Sequence, residues 1–189
     1  MQKNNGVEFK SLLTKEEYEK LIDLFKGNKT DSQTNHYFDT SRFSLKALSA
    51  SLRVRERESL QLTLKRKKGY SINENTVDIT KEELSEIIAS GKVSNEEIAH
   101  ELNNLIGNQK LINFLSLCTY RMYMPYKSGV LFLDKSEYLG VTDYEIEFAA
   151  SSYHTGKRDF IELINQVEIQ YKKSDKKIRR AFNAYKKLH

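Results

Sequence analysis

The residues able to do chemistry in this sequence come as same-face pairs of like charge. Glu145 and Glu147 stand two apart in Asp143-Tyr144-Glu145-Ile146-Glu147, and Arg53 and Arg55 in Leu52-Arg53-Val54-Arg55, with Arg57 in phase beyond them. In an extended strand, positions i and i+2 share a face, so each pair projects together while the intervening apolar residues face the other way. Glu8 and Lys10 share a face in the same manner, as do Gln61, Thr63 and Lys65, and Arg121 and Tyr123. A solvated face of a one-sided antiparallel sheet would account for any one of these strands. It accounts less well for all of them, because neighbouring like charges repel and a merely wet face would mix signs. Here the signs segregate by strand, and arginine fills 53, 55 and 121, where its planar fork suits phosphate oxygens. Grouped carboxylates suit a hard divalent cation, Mg²⁺ or Mn²⁺, bound through oxygen. The pattern predicts a concave polar surface with acidic and basic sectors, for which a metal–polyphosphate complex is the ligand that satisfies both.

Other chemistries find less support. His36, His100, His154 and His189 show no ligand spacing and are expected on helix or loop surfaces without a catalytic role. Cys118 is the one cysteine, so an intramolecular disulfide and a cysteine-based zinc site are excluded; a small filler in a strand is its expected role. No glycine-rich phosphate loop occurs, which disfavours a P-loop enzyme. The runs Lys65-Arg66-Lys67-Lys68, Lys172-Lys173 and Lys176-Lys177 read as solvated charge, with RNA or phosphate contact as the alternative. The 31 Lys and Arg against 26 Asp and Glu leave a formal charge of only +5, with both signs spread along the chain, so a purely cationic nucleic-acid binder is not indicated. A hydrophobic content of 39% is enough for a real core. No apolar run has the length of a membrane span, and MQKNNGVEFK lacks the apolar core of a signal peptide. A soluble cytoplasmic protein is the expectation.

The elements that must position these side chains are legible. Thr14-Lys15-Glu16-Glu17, Thr80-Lys81-Glu82-Glu83 and Ser94-Asn95-Glu96-Glu97 each set a hydroxyl three residues before a glutamate, the pattern of a capping box. Apolar residues follow each at helical spacing, with Gly27, Gly91 and Gly107 as stops. The tail from about Lys157 to Leu188 is helical by pattern, with a break near Ser174-Asp175. Alternating or apolar stretches around Val7–Phe9, Asn35–Asp39, Leu52–Val54, Leu62–Leu64, Tyr70–Ile79, Leu111–Tyr123, Val130–Asp134 and Ile146–Phe148 read as strands. About eight strands suffice to close a small barrel, and Lys127-Ser128-Gly129 reads as a tight turn. The predicted class is α+β, a largely antiparallel sheet with helices set apart from it.

Val7-Glu8-Phe9-Lys10, Tyr37-Phe38-Asp39-Thr40, Leu52-Arg53-Val54-Arg55, Thr63-Leu64-Lys65, Arg121, Asp134 and Tyr144-Glu145-Ile146-Glu147 occur in the order found in the CYTH domain, the triphosphate tunnel metalloenzyme superfamily, which the chain resembles over essentially its whole length. Lys177-Ile178-Arg179-Arg180 resembles that family's late basic motif. The resemblance implies that residues 1–189 form a single CYTH-like domain, an eight-stranded antiparallel β tunnel, closed or nearly so, with flanking helices. It also implies roles. Glu8, Glu145 and Glu147, with Asp134, resemble the metal ligands, the three glutamates carrying the catalytic role. Lys10, Arg53, Arg55, Lys65, Arg121, Lys177 and Arg180 resemble the triphosphate clamp. Mg²⁺ or Mn²⁺ would then support hydrolysis of inorganic triphosphate, thiamine triphosphate or a nucleotide. One departure stands out: the family's first strand reads Glu-x-Glu-x-Lys, and Gly6 replaces the first glutamate. Cyclisation of ATP, and a non-catalytic module binding polyphosphate, a nucleotide or a 5′-triphosphate RNA end, are the alternatives.

Overall fold

The computed structural model describes residues 6–188; His189 lies outside that range, as does half of the segment read for a signal peptide. Fourteen elements follow in order among the described residues: β1 (Val7–Leu13), α1 (Lys15–Leu24), β2 (Lys29–Thr40), α2 (Ser44–Ala47), β3 (Ala50–Glu56), β4 (Leu60–Lys68), β5 (Ser71–Ile79), α3 (Lys81–Ser90), α4 (Glu96–Ile106), β6 (Leu111–Tyr126), β7 (Gly129–Tyr138), β8 (Val141–Ala150), α5 (Tyr153–Gln166) and α6 (Lys177–Leu188). The strands form one antiparallel sheet in the order β1-β8-β7-β6-β2-β3-β4-β5, giving the α+β class expected. Hydrogen bonding leaves β1 and β5 as end strands, so the ladder itself does not close. No described helix is long and apolar enough to cross a membrane.

Two compact units divide the chain. One takes the described residues up to Ser32 and from Cys118 onward; the other takes Gln33–Leu117. In the first, Leu131, Leu133, Ile146 and Phe148 point from β7 and β8 into a core shared with Phe160, Leu163 and Ile164 of α5. Alternation sends the polar residues of the same strands to the opposite face. Register then decides which of them meet: Lys10 lies opposite Glu147, Asp134 opposite Glu145, and Arg121 opposite Asp134. A slip of one residue would exchange these charges for core residues. The β6–β7 hairpin fixes that register. Its two-residue turn has Lys127 at φ 44°, and the buried Asp159 of α5 accepts from the Ser128 hydroxyl at 2.5 Å. A Cβ at Gly129 would overlap the Ala149 carbonyl oxygen, so only glycine starts β7.

In the second unit, Phe38, Leu52, Val54, Leu62 and Leu64 pack against Leu84, Ile87, Ile98 and Leu102 of α3 and α4. The capping boxes at Thr14 and Thr80 form as predicted. The third does not: Asn95, not Ser94, caps α4 by accepting from the Ile98 amide, because the Ser94 hydroxyl is taken by Glu83 at 2.8 Å. The tail also differs from its pattern. Helix α5 starts at Tyr153, and the break runs from Val167 to Lys176, where Ser11 bridges Lys173 and the Lys172 carbonyl accepts from the Leu12 amide. Edge pairing to β1 therefore holds this segment extended. His36 lies within β2, half-buried, rather than on a helix or loop; its Nδ1 is 2.9 Å from Ser116 Oγ.

Asp39 organises the entry to α2, a short helix that no pattern in the sequence predicts. Its carboxylate accepts from the amides of Thr40 at 2.7 Å, Leu45 at 2.9 Å and Lys46 at 3.0 Å. That accounts for the tolerance of Phe43 at φ 56°, a costly conformation for a residue with a Cβ. Asp39→Ala leaves buried amides without an acceptor and is expected to lower stability by about 2–4 kcal/mol, read from urea unfolding of the full chain. A loss below about 1 kcal/mol would remove Asp39 from this role.

Candidate active site

On the polar face of the first unit, Asp134, Glu145 and Glu147 bring one carboxylate oxygen each to within 4.8 Å of one another. All three are buried: Asp134 at 0%, Glu145 at 1% and Glu147 at 9% relative exposure. Their proximity follows from the rungs described above, since β7 and β8 present them side by side. An acidic group this deep is tolerable only if cations neutralise it, and four do. Arg121 forks onto Asp134 with two bonds of 2.6 Å and reaches Glu147 at 2.7 Å. Its guanidinium also lies over the Phe132 ring, 4.4 Å from the centroid. Lys10 donates to Glu147 at 3.3 Å. From α6, Lys177 Nζ lies 2.8 Å from Asp134, 2.5 Å from Glu145 and 2.8 Å from Glu147. Arg180 reaches both oxygens of Asp143, at 2.8 and 2.9 Å, and Glu145 at 2.7 Å. Ser174, in the extended segment before α6, donates to Glu145 as well.

These contacts decide protonation. Burial would raise the Glu147 carboxyl, but its bond with Glu145, together with Lys177 and Arg121, holds it well below the usual carboxylate range. Glu145 moves the other way: burial and the neighbouring Glu147 outweigh Lys177 and Ser174 and raise its carboxyl. For Arg121, Lys177 and Arg180, burial opposes the charge and the surrounding carboxylates more than compensate, making each harder to deprotonate. Tyr138, which donates to Asp143 at 2.6 Å, is pushed up to about 12 by burial and by that carboxylate. The donor set is all-oxygen, compact and anionic, which fits a hard divalent cation.

The second unit presents a basic strip. Arg53 lies opposite Tyr37 and Thr63, and Arg55 opposite Asn35 and Gln61, placing both guanidinium groups on the face away from Leu52 and Val54. Arg55 Nε donates to the Asn35 amide oxygen at 3.3 Å. Arg53 Nε is buried without a hydrogen-bond partner among the described residues. Burial, then the neighbouring Arg53 charge, makes Arg55 easier to deprotonate than an ordinary arginine. Two half-buried guanidinium groups, one bonded to an amide and the other with an unpartnered Nε, are short of negative charge. Lys65 is more exposed and pairs with Glu74 at 3.2 Å.

Of the residues singled out in the sequence, Lys10, Arg121, Asp134, Glu145, Glu147, Lys177 and Arg180 come together in one cluster. Glu8 does not enter the three-carboxylate group. Its side chain is 61% exposed and meets Lys10 at 3.6 Å, at the free end of β1. Asp143 and Ser174 join the cluster without having been expected there. Asp143 carries a signal in the sequence, being in phase with Glu145 and Glu147; Ser174 carries none, because its place beside Glu145 depends on how the 167–176 segment folds back.

Residues 4–182 match the CYTH domain. A Bacillus subtilis protein described as "Putative triphosphatase YjbK" is 34% identical over 193 positions, covering 99% of each chain. The solved structure of a Bacillus halodurans protein described as a "putative adenylate cyclase" superposes with a TM-score of 0.70 at 33% identity, over 93% of this chain and 96% of that one. A Hippeastrum protein, HpAC1, shares the fold at a TM-score of 0.70 and 20% identity, over 95% of this chain and 94% of that one. With a domain match over nearly all of its length and a relative a third identical throughout, this chain belongs to the CYTH domain family.

Proposed function

We propose that this protein is a metal-dependent hydrolase of linear triphosphates, acting on inorganic triphosphate or on an organic triphosphate such as thiamine triphosphate or a nucleotide, with Mg²⁺ or Mn²⁺. The observation that carries this reading is the interleaving of Asp134, Glu145 and Glu147 with Lys10, Arg121, Lys177 and Arg180 on one sheet face. A linear triphosphate brings about four to five negative charges and many strong acceptor oxygens, so it needs both a cation held by carboxylates and a set of basic side chains. The names of the Bacillus relatives, a triphosphatase and an adenylate cyclase, both describe chemistry on a triphosphate chain.

In this reading Asp134, Glu145 and Glu147 hold the divalent cation, with Glu8 bordering the site from the end of β1. When bound, that cation would neutralise phosphate oxygens and favour attack by water in line with the leaving group. Lys177 and Lys10 would turn from carboxylates toward phosphate oxygens, while Arg121 and Arg180 would keep their forks on Asp134 and Asp143 and offer their remaining N–H groups. Arg53, Arg55 and Lys65 are the further phosphate donors that the resemblance to the CYTH family implies. Charge neutralisation and positioning supply most of the rate in such a reaction. Cyclisation of a nucleoside triphosphate would draw on the same groups, and the products separate the two: shortened phosphates for hydrolysis, a cyclic nucleotide and pyrophosphate for cyclisation.

Tripolyphosphate is expected to be cleaved to pyrophosphate and phosphate in Mg²⁺ or Mn²⁺, and EDTA to abolish the reaction; tight binding without turnover in any divalent metal would instead favour a binding module. Arg55→Ala is expected to weaken triphosphate binding by ~1.5–3 kcal/mol, the worth of a charge-assisted bond, by calorimetry, and unchanged affinity would place Arg55 outside the clamp. Among the described residues a Cβ at Gly6 meets the Ala150 carbonyl oxygen at 3.7 Å, an ordinary contact. Gly6→Glu, which restores a same-face carboxylate beside Glu8, is expected to raise metal-dependent turnover, and an unchanged rate would count against a lost ligand there.

A further inference from the structure

The Lys177 ammonium sits at the centre of the carboxylate group rather than at its rim. It hydrogen-bonds Glu145 and Glu147 and forms an ion pair with Asp134, all at 2.5–2.8 Å. These are the same carboxylates whose oxygens converge to within 4.8 Å. We propose that Lys177 is a tethered stand-in for the divalent cation, holding the three carboxylates together in the metal-free protein, and that metal enters by displacing it. The proposal rests on the reading of this cluster as a metal site, and it assigns a specific competitor to that site.

Charge and geometry both argue for exchange rather than coexistence. A divalent ion among these oxygens would lie within a few ångströms of the ammonium, a like-charge contact that a buried setting screens poorly. Of the surrounding cations, Lys177 is the one that touches all three carboxylates and is suited to leave; Lys10 reaches Glu147 alone among them, at 3.3 Å. Arg121 is forked onto Asp134 and stacked on Phe132, and Arg180 is forked onto Asp143, outside the three. Lys177 is a single charge on a flexible stem.

Its position in the fold points the same way. Lys177 opens α6, whose first turn holds Lys177, Arg179 and Arg180 and no acidic residue. Positive charge at a helix N-terminus opposes the macrodipole, so this turn is held by the carboxylates it touches. Metal binding would withdraw part of that support. The helix start and the metal then compete for the same negative charge, and the apparent metal affinity is the intrinsic one reduced by the fraction of molecules with Lys177 displaced.

The test is Mn²⁺ binding to the full chain without substrate, by calorimetry or by the electron paramagnetic resonance of free Mn²⁺, in wild type, Lys177→Met and Lys176→Met. Lys176 is the exposed neighbour, and its loss changes net charge equally. Lys177→Met is expected to bind Mn²⁺ ~10-fold tighter or more, with Lys176→Met within about 2-fold of wild type. In wild type, saturating Mn²⁺ is expected to speed hydrogen exchange at the Arg179 and Arg180 amides, both bonded to the Lys176 carbonyl; this readout stands even if the methionine variant folds poorly. Equal affinity in Lys177→Met and wild type, a gain matched by Lys176→Met, or unchanged exchange at those amides would overturn the displacement while leaving the metal site intact. Mn²⁺ binding by none of the three proteins would overturn it together with the metal-dependent function.

Discussion

Three carboxylates packed within 4.8 Å of each other and shielded from water repel one another strongly, and the first unit of this protein is arranged around that fact. Each carboxylate is answered by a cation from a different part of the chain. Lys10 comes from β1, Arg121 from β6, and Lys177 and Arg180 from α6. Burial of ions is costly even when they are paired, so this network is a poor way to gain stability and a good way to hold charged groups in a fixed geometry. The cost is offset elsewhere, by the apolar face of the same strands. Phe148, Ile146, Leu133 and Leu131 are fully buried against α5, and their packing sets the strands that carry the charges.

The second unit solves the opposite problem. Arg53 and Arg55 project from one strand, two residues apart, and among the described residues neither donates to a carboxylate as Arg121 and Arg180 do. An amide oxygen accepts from Arg55, while Arg53 keeps an unpartnered, buried Nε. Unmet donors on half-buried guanidinium groups are a standing demand for an anion, just as grouped carboxylates are a demand for a cation.

The α6 helix has a double character. Its Ala181 is fully buried, which anchors it as a structural element, yet its first turn is a row of cations facing acids. An element held partly by packing and partly by charge responds to a change in that charge without unfolding. Lys177 and Arg180 differ in this respect, since the two Asp143 contacts hold Arg180 in place whatever occupies the three-carboxylate group.

Much of this arrangement is legible in the amino-acid sequence. Period-two alternation dictates which residues of each strand share a face, since the pleat permits nothing else, and so identifies Glu145 with Glu147, Arg53 with Arg55, and Glu8 with Lys10. The hydroxyl-to-glutamate spacing places the starts of α1 and α3, because that contact is local. Where a local rule meets a competing long-range contact it fails: Ser94 bonds Glu83 instead of capping α4, and pairing with β1 keeps residues 167–176 from continuing a helix. Sequence alone thus determined the composition of each strand face, and with it the kind of ligand the protein can attract. Only the tertiary structure decided which faces meet. Strand register set Asp134 beside Glu145, and chain reversal brought Lys177 and Ser174 to that pair while leaving Glu8 at the edge. Such contacts join residues far apart along the chain and depend on packing that no local spacing encodes.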